Sequence, residues 1–372
     1  MHIREFGVER WMYLYENYCE LNLAETCIEP LTVGELLKIA GKEETFLDEI
    51  SPIRLTYGVI DGTERLRSAI AALYEKQRIE NVLVTHGAIS ANALLYETLV
   101  EPGDHVISVA PTYQQHHSIP ESYGARVDMW RLRPENAFLP DLDELRRLIT
   151  STTRLIAINN PNNPTGALMD RAFLSQIAEI ADSCGAYVLS DEVYRGADQH
   201  GDGFTASIAD IYEKGLSTGS MSKTWSLAGL RLGWIVAPEE ILHRVTIHRD
   251  YNTISVGMLN DLLASIALEN RVALLQRNHA ILRNNLALLD AWIEQEPQLS
   301  YVKPKSGTTA WVRLPAGIAS RDFCVALLER KGVMFTPGSA LDGEGYVRIG
   351  YANNREILSA GLARTSEFLR GL

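Results

Sequence analysis

The sequence predicts an α/β protein whose larger domain is a mostly parallel sheet covered by helices, joined to a smaller α+β domain. From about residue 63 to 235, short apolar segments alternate with amphipathic segments of helical spacing, as expected for βαβ units. After residue 238, long amphipathic helices and a few short strands follow. This change of pattern, in a chain of 372 residues, predicts two domains.

The first part of the chain supplies the elements of the predicted parallel sheet. Helices are predicted over 63–77, 89–99, 142–149 and 171–184. Strands are predicted over 82–87, 105–111, 125–132, 154–161 and 186–192. The turns at or after these strands are polar and include "THGA", "APTY", "NNPNNPTG" and "SDEVY". Because ligands bind at the carboxyl ends of parallel strands, we expect the functional site there.

The second part of the chain supplies the smaller domain. Helices are predicted over 239–250, 256–270, 271–296 and 321–332, and strands over 307–314, 332–338 and 346–352. The first ~45 residues do not follow the strand–helix alternation, so we assign them to this domain. The predicted large domain is therefore 46–284, and the predicted small domain is 1–45 with 285–372.

Composition limits the classes of partner. A formal net charge of −12 argues against nucleic acid or an anionic membrane as the main partner. No apolar run approaches the ~18 residues of a membrane span, and the N-terminal stretch lacks the apolar region of a secretory signal. The four cysteines are far apart, which predicts free thiols in a reducing compartment and a cytoplasmic location.

One lysine stands out within "TGSMSKTWSLAGLRLGW" (218–234). A solvated surface charge is the ordinary role of a lysine, but small polar and apolar residues surround Lys223. A lysine amine whose pKa is lowered by its surroundings attacks carbonyl groups. Ser220, Ser222 and Arg231 supply the hydroxyls and the guanidinium that a phosphate dianion favours. A reactive lysine beside a phosphate site indicates pyridoxal 5'-phosphate (PLP).

This segment resembles the lysine motif of the class I/II aminotransferases, the aspartate aminotransferase-like enzymes of PLP fold type I. The resemblance extends from about residue 50 to 365, with matching motifs in the family's order. It implies the fold type I architecture, with a seven-stranded sheet in the large domain, and PLP bound to Lys223. In "SDEVY" it implies that Asp191 keeps the pyridine nitrogen protonated, so that the ring accepts electrons. Tyr194 would contact the ring hydroxyl oxygen.

Further cofactor and substrate contacts are implied by the same resemblance. Asn163 in "NNPNNPTG" would bond the ring hydroxyl oxygen and face the substrate, and Tyr113 in "APTYQQ" would stack on the ring. The backbone N–H groups of Ala88 and Ile89, at a helix start, would face the phosphate. Arg348 in "YVRIGYA" would bind the substrate α-carboxylate. Each of these residues also has a purely structural alternative: Asn163 could belong to a turn that ends a strand, Tyr113 could be a core aromatic, and Arg348 could be an arginine on an edge strand.

A homodimer with shared active sites is also implied. "RLTYGVIDGTERLR" resembles the family segment whose tyrosine, here Tyr57, reaches the phosphate in the neighbouring subunit. The pair His116 and His117 lacks a partner at metal-binding spacing, so we predict no metal site.

The N-terminal region departs from the common family pattern. Where family members have a Gly-Pro-type turn, this chain has "ELNLAETCIEPLTVGELL" (20–37), with no glycine before Gly34. Together with "VERW" (8–11), it resembles the arginine-processing branch of the family, which contains capreomycidine synthase and PLP-dependent arginine oxidases. That resemblance implies that Glu25 meets a guanidinium group, and Glu9 offers a second carboxylate. Alternatively, both are surface acids.

These features predict an enzyme that links PLP to an amino acid and removes the α-proton, with Lys223 as the general base. The favoured reaction is elimination and ring closure of a guanidino amino acid such as hydroxyarginine. A conventional amino acid aminotransferase with a keto acid acceptor is the alternative. A non-catalytic PLP-binding module, such as the sensor half of a transcription regulator, fits less well, because Lys223, Asp191 and Arg348 are all present.

Overall fold

The computed structural model describes residues 2–371 and contains thirteen α-helices, six short 3-10 helices and thirteen strands within them. The helices are α1 (Gly7–Tyr15), α2 (Val33–Ile39), α3 (Phe46–Ile50), α4 (Glu64–Ala71), α5 (Gly87–Leu99), α6 (Gln115–Ser122), α7 (Leu142–Leu148), α8 (Arg171–Cys184), α9 (Glu239–Asp250), α10 (Met258–Glu269), α11 (Arg271–Glu294), α12 (Ser320–Lys331) and α13 (Arg355–Leu369). The strands are β1 (Leu21–Asn22), β2 (Val82–Thr85), β3 (His105–Ala110), β4 (Arg126–Arg131), β5 (Thr153–Asn159), β6 (Tyr187–Asp191), β7 (Gly215–Ser220), β8 (Gly233–Val236), β9 (Ser300–Tyr301), β10 (Thr309–Arg313), β11 (Val333–Met334), β12 (Thr336–Pro337) and β13 (Tyr346–Gly350).

A seven-stranded sheet forms the larger part of the molecule, in the order β2-β8-β7-β6-β5-β3-β4. Strands β3 to β7 are parallel to their neighbours in this group, whereas β8 runs antiparallel to both β7 and β2. The prediction of a mostly parallel sheet is therefore confirmed.

Helices cover both faces of this sheet. Successive side chains of a strand point to opposite faces, and here the side chains on both faces are apolar. In β5, Ile156 and Ile158 pack in one cluster with residues of α7 and α8. Their neighbours Leu155 and Ala157 pack in another cluster with residues of α5 and α9. A strand buried on both faces explains the nearly continuous apolar run in its sequence.

The smaller part contains a four-stranded antiparallel sheet, β12-β13-β10-β9, and the two-stranded parallel pair β1-β11. The single strand predicted over 332–338 is wrong, because the chain changes partner within it. Residues before the buried Phe335 pair with β1, and residues after it pair with β13. An apolar run shows that a segment is buried but not which strand it pairs with.

The helix predicted over 63–77 ends early, at Ala71. The backbone N–H groups of Glu75 and Lys76 donate to the carboxylate of Asp210, each at 2.9 Å. This side chain takes donors that a longer helix would have used internally.

The N-terminal residues pack against both parts of the molecule. Trp11, Leu23 and Ile28 lie in the core that contains α11, α12 and α13. Val8 and Leu36 instead pack in clusters built on the large sheet. The domain boundaries stay a prediction. Across residues 2–371, no helix combines the length and hydropathy that a membrane span requires.

Candidate active site

A cavity of about 390 Å³ lies at the carboxyl ends of β5, β6 and β7 and faces the smaller sheet. It is also bounded by α1 and by the turn at residues 24–27. The predicted site residues that line it are Glu9, Glu25, Ala88, Ile89, Tyr113, Asn163, Asp191, Tyr194, Ser220, Ser222, Lys223, Arg231 and Arg348. Tyr57 is absent from this list.

The half-buried Lys223 follows β7 and extends its amine into the cavity. Its Nζ donates to Thr26 Oγ1 at 2.6 Å and lies 3.6 Å from Cys27 Sγ. Burial alone would lower the pKa of Lys223, but Cys27, Tyr194 and Glu25 together raise it above its usual value. Burial raises the pKa of Cys27 to about 11. Neither Thr26 nor Cys27 was identified from the sequence.

Asp191 is the last residue of β6, and its carboxylate is buried. It accepts a hydrogen bond from Asn92 Nδ2 at 2.9 Å and faces His116 Nε2 at 3.3 Å. The Asn92 side chain in turn accepts from Thr218 Oγ1 at 2.7 Å. This network fixes a negative charge at the base of the cavity. Neither Asn92 nor His116 was identified from the sequence as a partner of Asp191, although an asparagine inside the apolar helix α5 was a usable signal.

A group of hydrogen-bond donors lies on the other side of Lys223. Ser220 ends β7, Ser222 follows it, and Arg231 projects towards the start of α5, where backbone N–H groups are free. Gly233 allows this approach, because a Cβ there would lie 2.4 Å from the carbonyl carbon of Gly87. Hydroxyls, a guanidinium and a helix N-terminus are a donor set that fits a phosphate dianion.

Arg348 lies in the middle of β13 and is buried. Its guanidinium donates to Asn163 Oδ1 at 3.2 Å, Ala24 O at 3.0 Å and Thr336 Oγ1 at 3.1 Å. Burial lowers the pKa of Arg348, but an arginine still stays charged at neutral pH. Burial also raises the pKa of Tyr194, which lies near Arg348 and Lys223. The arrangement places a fixed cation in the part of the cavity wall that the smaller sheet forms.

Three carboxylates, which we call the acidic wall, line the cavity from the N-terminal region: Glu9, Glu16 and Glu25. Glu9 lies in α1 and Glu16 directly follows it. Both line the cavity together with Met12. Burial, followed by the charges of Glu25 and Glu9, raises the pKa of Glu16. Burial would raise the pKa of Glu25 too, but the charge of Lys223 and the hydrogen bonds from Thr26 and Cys27 together outweigh it, so the pKa is lowered. Glu16 was missed, although its spacing from Glu9 is helical.

Neutral groups satisfy the acidic wall. Glu9 accepts from the Tyr113 hydroxyl at 2.6 Å, and Glu16 accepts from Asn22 Nδ2 at 3.4 Å. Glu25 Oε1 accepts the backbone N–H groups of the next two residues at 2.9 and 3.2 Å. These donors stabilise the carboxylates without neutralising their charge.

Tyr57 lies outside the cavity of its own chain and is 78% exposed. Its role towards a neighbouring subunit stays a prediction. His117 contacts Arg4 and Asp342 rather than a metal-like cluster. Within residues 2–371, no group of three potential metal ligands is close enough to hold an ion.

The fold and the site together define a class of protein. A cavity lysine at the edge of a mostly parallel sheet, with a phosphate-type donor set beside it and a fixed carboxylate near it, is the arrangement of a fold type I PLP enzyme. The chain belongs to the aminotransferase class I and II family, whose model matches residues 32–360. Its cofactor is therefore PLP.

Several relatives are similar over nearly the whole chain. Capreomycidine synthase of Streptomyces vinaceus is 32% identical over 365 residues, which cover 97% of this chain and 93% of the relative. A PLP-dependent aminotransferase from Streptococcus suis 89-1591 is 44% identical, with a TM-score of 0.96, and the match covers 100% of this chain and 99% of the other. The PLP-dependent cyclase OrfR is 28% identical, with a TM-score of 0.91 and coverage of 100% and 98%. The chain is thus similar to a synthase, an aminotransferase and a cyclase of one family, so family membership alone does not identify its reaction.

Proposed function

We propose that this enzyme binds an amino acid with a distal guanidino group, removes its α-proton, and eliminates and cyclises it. The substrate would be a hydroxyarginine and the product a cyclic arginine derivative. In the net reaction, a C–O bond breaks and the hydroxyl leaves as water. A guanidine nitrogen loses a proton and forms the new C–N bond at the carbon that lost the hydroxyl.

The observation that carries this proposal is the charge balance of the cavity. Lys223 and Arg348 are assigned to the cofactor and to the substrate α-carboxylate, and Arg231 to the cofactor phosphate. The acidic wall then faces the remaining space with only neutral hydrogen-bond donors. A distal guanidinium would supply the missing positive charge and form charge-assisted hydrogen bonds with carboxylates. The similarity to capreomycidine synthase and to a PLP-dependent cyclase supports the same reading.

Each group of residues has a distinct task in this proposal. The donor set of Ser220, Ser222 and Arg231 would hold the cofactor phosphate. Bound PLP supplies an electron-accepting ring and an aldehyde that bonds to amines, and Asp191 would keep the ring nitrogen protonated. Lys223 would accept the α-proton at Nζ as general base.

Substrate orientation would come from the opposite side of the cavity. Arg348 would bind the α-carboxylate with its planar fork, which Asn163 and Thr336 hold in place. Glu25 has one oxygen committed to backbone N–H groups, which leaves Oε2 to accept from a guanidinium. Glu9 is fixed by Tyr113 and would accept from the same group.

A conventional amino acid aminotransferase with a keto acid acceptor is the second candidate. The specific support is the 44% identity to a PLP-dependent aminotransferase, over the full length of both chains. Such an enzyme would transfer the amino group of the donor amino acid to the cofactor and release a keto acid, so the amine form of the cofactor would accumulate when the donor is present alone.

Product analysis separates the two candidates. The PLP-loaded protein is incubated with 3-hydroxyarginine, 4-hydroxyarginine, L-arginine and a panel of neutral amino acids, with and without 2-oxoglutarate. Mass spectrometry should show a product one water lighter than a hydroxyarginine, formed without 2-oxoglutarate. Consumption of ordinary amino acids only with 2-oxoglutarate, while both hydroxyarginines remain intact, would favour the aminotransferase and reject the cyclase.

We also propose that the chain forms a homodimer across the face around Tyr57. Leu55 and Tyr57 are 86% and 78% exposed, and Tyr251 is 93% exposed. Gly58 lies against Val256, since a Cβ at Gly58 would be 3.1 Å from the Val256 carbonyl oxygen. The segment with Leu55 and Tyr57 therefore lies near the segment with Tyr251. Together they form an exposed apolar surface of the kind that a second copy of the chain covers. Light scattering should give twice the chain mass; a monomer at micromolar concentration would reject the dimer.

A further inference from the structure

The turn at residues 24–27 contacts Lys223 in a way that the proposed chemistry does not use. Lys223 Nζ donates to Thr26 Oγ1 at 2.6 Å, which is a short, well-formed hydrogen bond. Among residues 2–371, the other hydrogen-bond partner of Nζ is the Cys27 thiol at 3.6 Å, which is a weak acceptor. The threonine hydroxyl is thus the strong acceptor for this amine.

Thr26 is held in place from three sides. Its N–H donates to Glu25 Oε1 at 2.9 Å, and its carbonyl oxygen accepts from the buried Thr308 Oγ1 at 2.7 Å. The preceding carbonyl, of Glu25, lies so close to β13 that a Cβ at Gly350 would be 1.7 Å from it. Thr26 itself is 8% exposed. A hydroxyl fixed in this way defines one location for the amine that bonds to it.

We propose that Thr26 is a positioning residue, whose hydroxyl holds the Lys223 nitrogen on the side of the cavity where it accepts the α-proton. The bond is directional, with the nitrogen as donor and Thr26 Oγ1 as acceptor, so it fixes the position of the nitrogen in the cavity. A base held at the right distance reacts faster than one that samples many positions. The proposal rests on the proposed role of Lys223 and adds a residue to it.

The hydroxyl should also affect the lysine nitrogen when this nitrogen is linked to the cofactor. An acceptor stabilises the protonated form of a nitrogen, so removing the acceptor lowers its pKa. A single hydrogen bond of this kind corresponds to a shift of about half a unit to one unit. This shift would be measured from the visible absorbance of the PLP-loaded protein, without a substrate.

The test compares Thr26→Val, which keeps the shape and removes the hydroxyl, with Thr26→Ser, which restores it. Thr365→Val is the matched control, because it removes the hydroxyl of another buried threonine, in α13. Two quantities are measured: the pKa of the visible band by titration, and the exchange of α-hydrogens in D2O by NMR. The exchange probes are L-arginine and a panel of neutral amino acids.

For Thr26→Val we expect a band pKa lower by about half a unit to one unit. We expect α-hydrogen exchange about tenfold slower, with KM changed less than about twofold. Thr26→Ser should restore both, and Thr365→Val should match the unaltered protein. Unchanged band pKa and exchange in Thr26→Val would overturn the proposal, as would failure of Thr26→Ser to restore them.

Lys223→Ala separates this inference from the proposed function. If that variant keeps the visible band, the role of Lys223 is wrong and the role of Thr26 falls with it. If it loses the band while Thr26→Val behaves as the unaltered protein, the positioning role alone is wrong.

Discussion

The two sides of the cavity are built in different ways. On the cofactor side, Asp191 and Ser220 are the last residues of neighbouring parallel strands, and Lys223 follows a few residues later. On the substrate side, the acidic wall comes from α1 and from a turn whose backbone contacts β13, more than 300 residues away in sequence. The first side is set by regular structure and the second by long-range packing. We therefore expect the first side to determine the cofactor and the second to determine the substrate.

The largest effect should follow from removing the lysine on the cofactor side. Lys223→Ala should abolish the visible absorbance of the lysine-linked cofactor and lower turnover by about 10^4-fold, because both the covalent link and the general base are lost. Spectra of the purified protein and initial rates measure this. Lys38→Ala, which removes an exposed lysine of α2, is the control and should leave both unchanged. A retained visible band would reject Lys223 as the cofactor lysine.

The next effect concerns the fixed carboxylate. Asp191→Asn should lower turnover by about 10^2-fold to 10^3-fold for every substrate alike, because the ring nitrogen would lose the charge that keeps it protonated. The measurement is kcat across several amino acids. Asp198→Asn is the matched control, since Asp198 is a buried carboxyl bonded to Ser306, outside the cavity. A decrease in kcat for one substrate only would show that Asp191 acts on the substrate and not on the cofactor.

A smaller and selective effect is expected from the acidic wall. Glu25→Gln should raise KM about tenfold to a hundredfold for a guanidino substrate, because one charge-assisted hydrogen bond would become neutral. KM for a neutral amino acid should change little. Steady-state kinetics on both substrates measure the difference, with Glu29→Gln as the control from the same segment. Equal changes for both substrates would remove Glu25 from guanidinium binding.

The smallest effect is a pH dependence that arises from Glu16. The pKa of its carboxyl is raised, so Glu16 becomes neutral as the pH falls through a value above its ordinary one, and attraction to a cation weakens. KM for a guanidino substrate should therefore rise by about threefold as the pH is lowered from neutral, a modest change because Glu16 is only partly buried and water screens its charge. Glu16→Gln should show no such rise. A rise of equal size in that variant would assign the titration to another group.

The difference between the two sides also explains what the sequence alone could predict. Lys223, Asp191 and Arg231 belong to contiguous motifs at strand ends, so their neighbourhood follows from the alternation of strands and helices. Asn92 and His116 reach Asp191 only through the packing of α5 and α6 against the sheet. No local sequence pattern predicts that these two side chains lie close to Asp191.

The substrate side was less predictable for a similar reason. Glu9 and Glu25 were identified by resemblance, but Glu16 lies among other charged residues at the end of α1 and has no distinguishing motif. Thr26 meets Lys223 because hydrogen bonds with Glu25 and Thr308 and the contact with β13 shape the turn. The divided strand at Phe335 was missed because pairing partners are a property of the whole fold.

The close contact between Gly350 and the Glu25 carbonyl has a consequence for how the enzyme is made. A ribosome that has released residues up to β8 has already supplied Lys223, Asp191 and the phosphate donors. The turn with Thr26 and Glu25 cannot adopt its final conformation until β13 emerges, because its contact with Gly350 joins distant parts of the chain. A chain in the course of synthesis therefore holds every part of its cofactor cradle before its substrate wall takes shape.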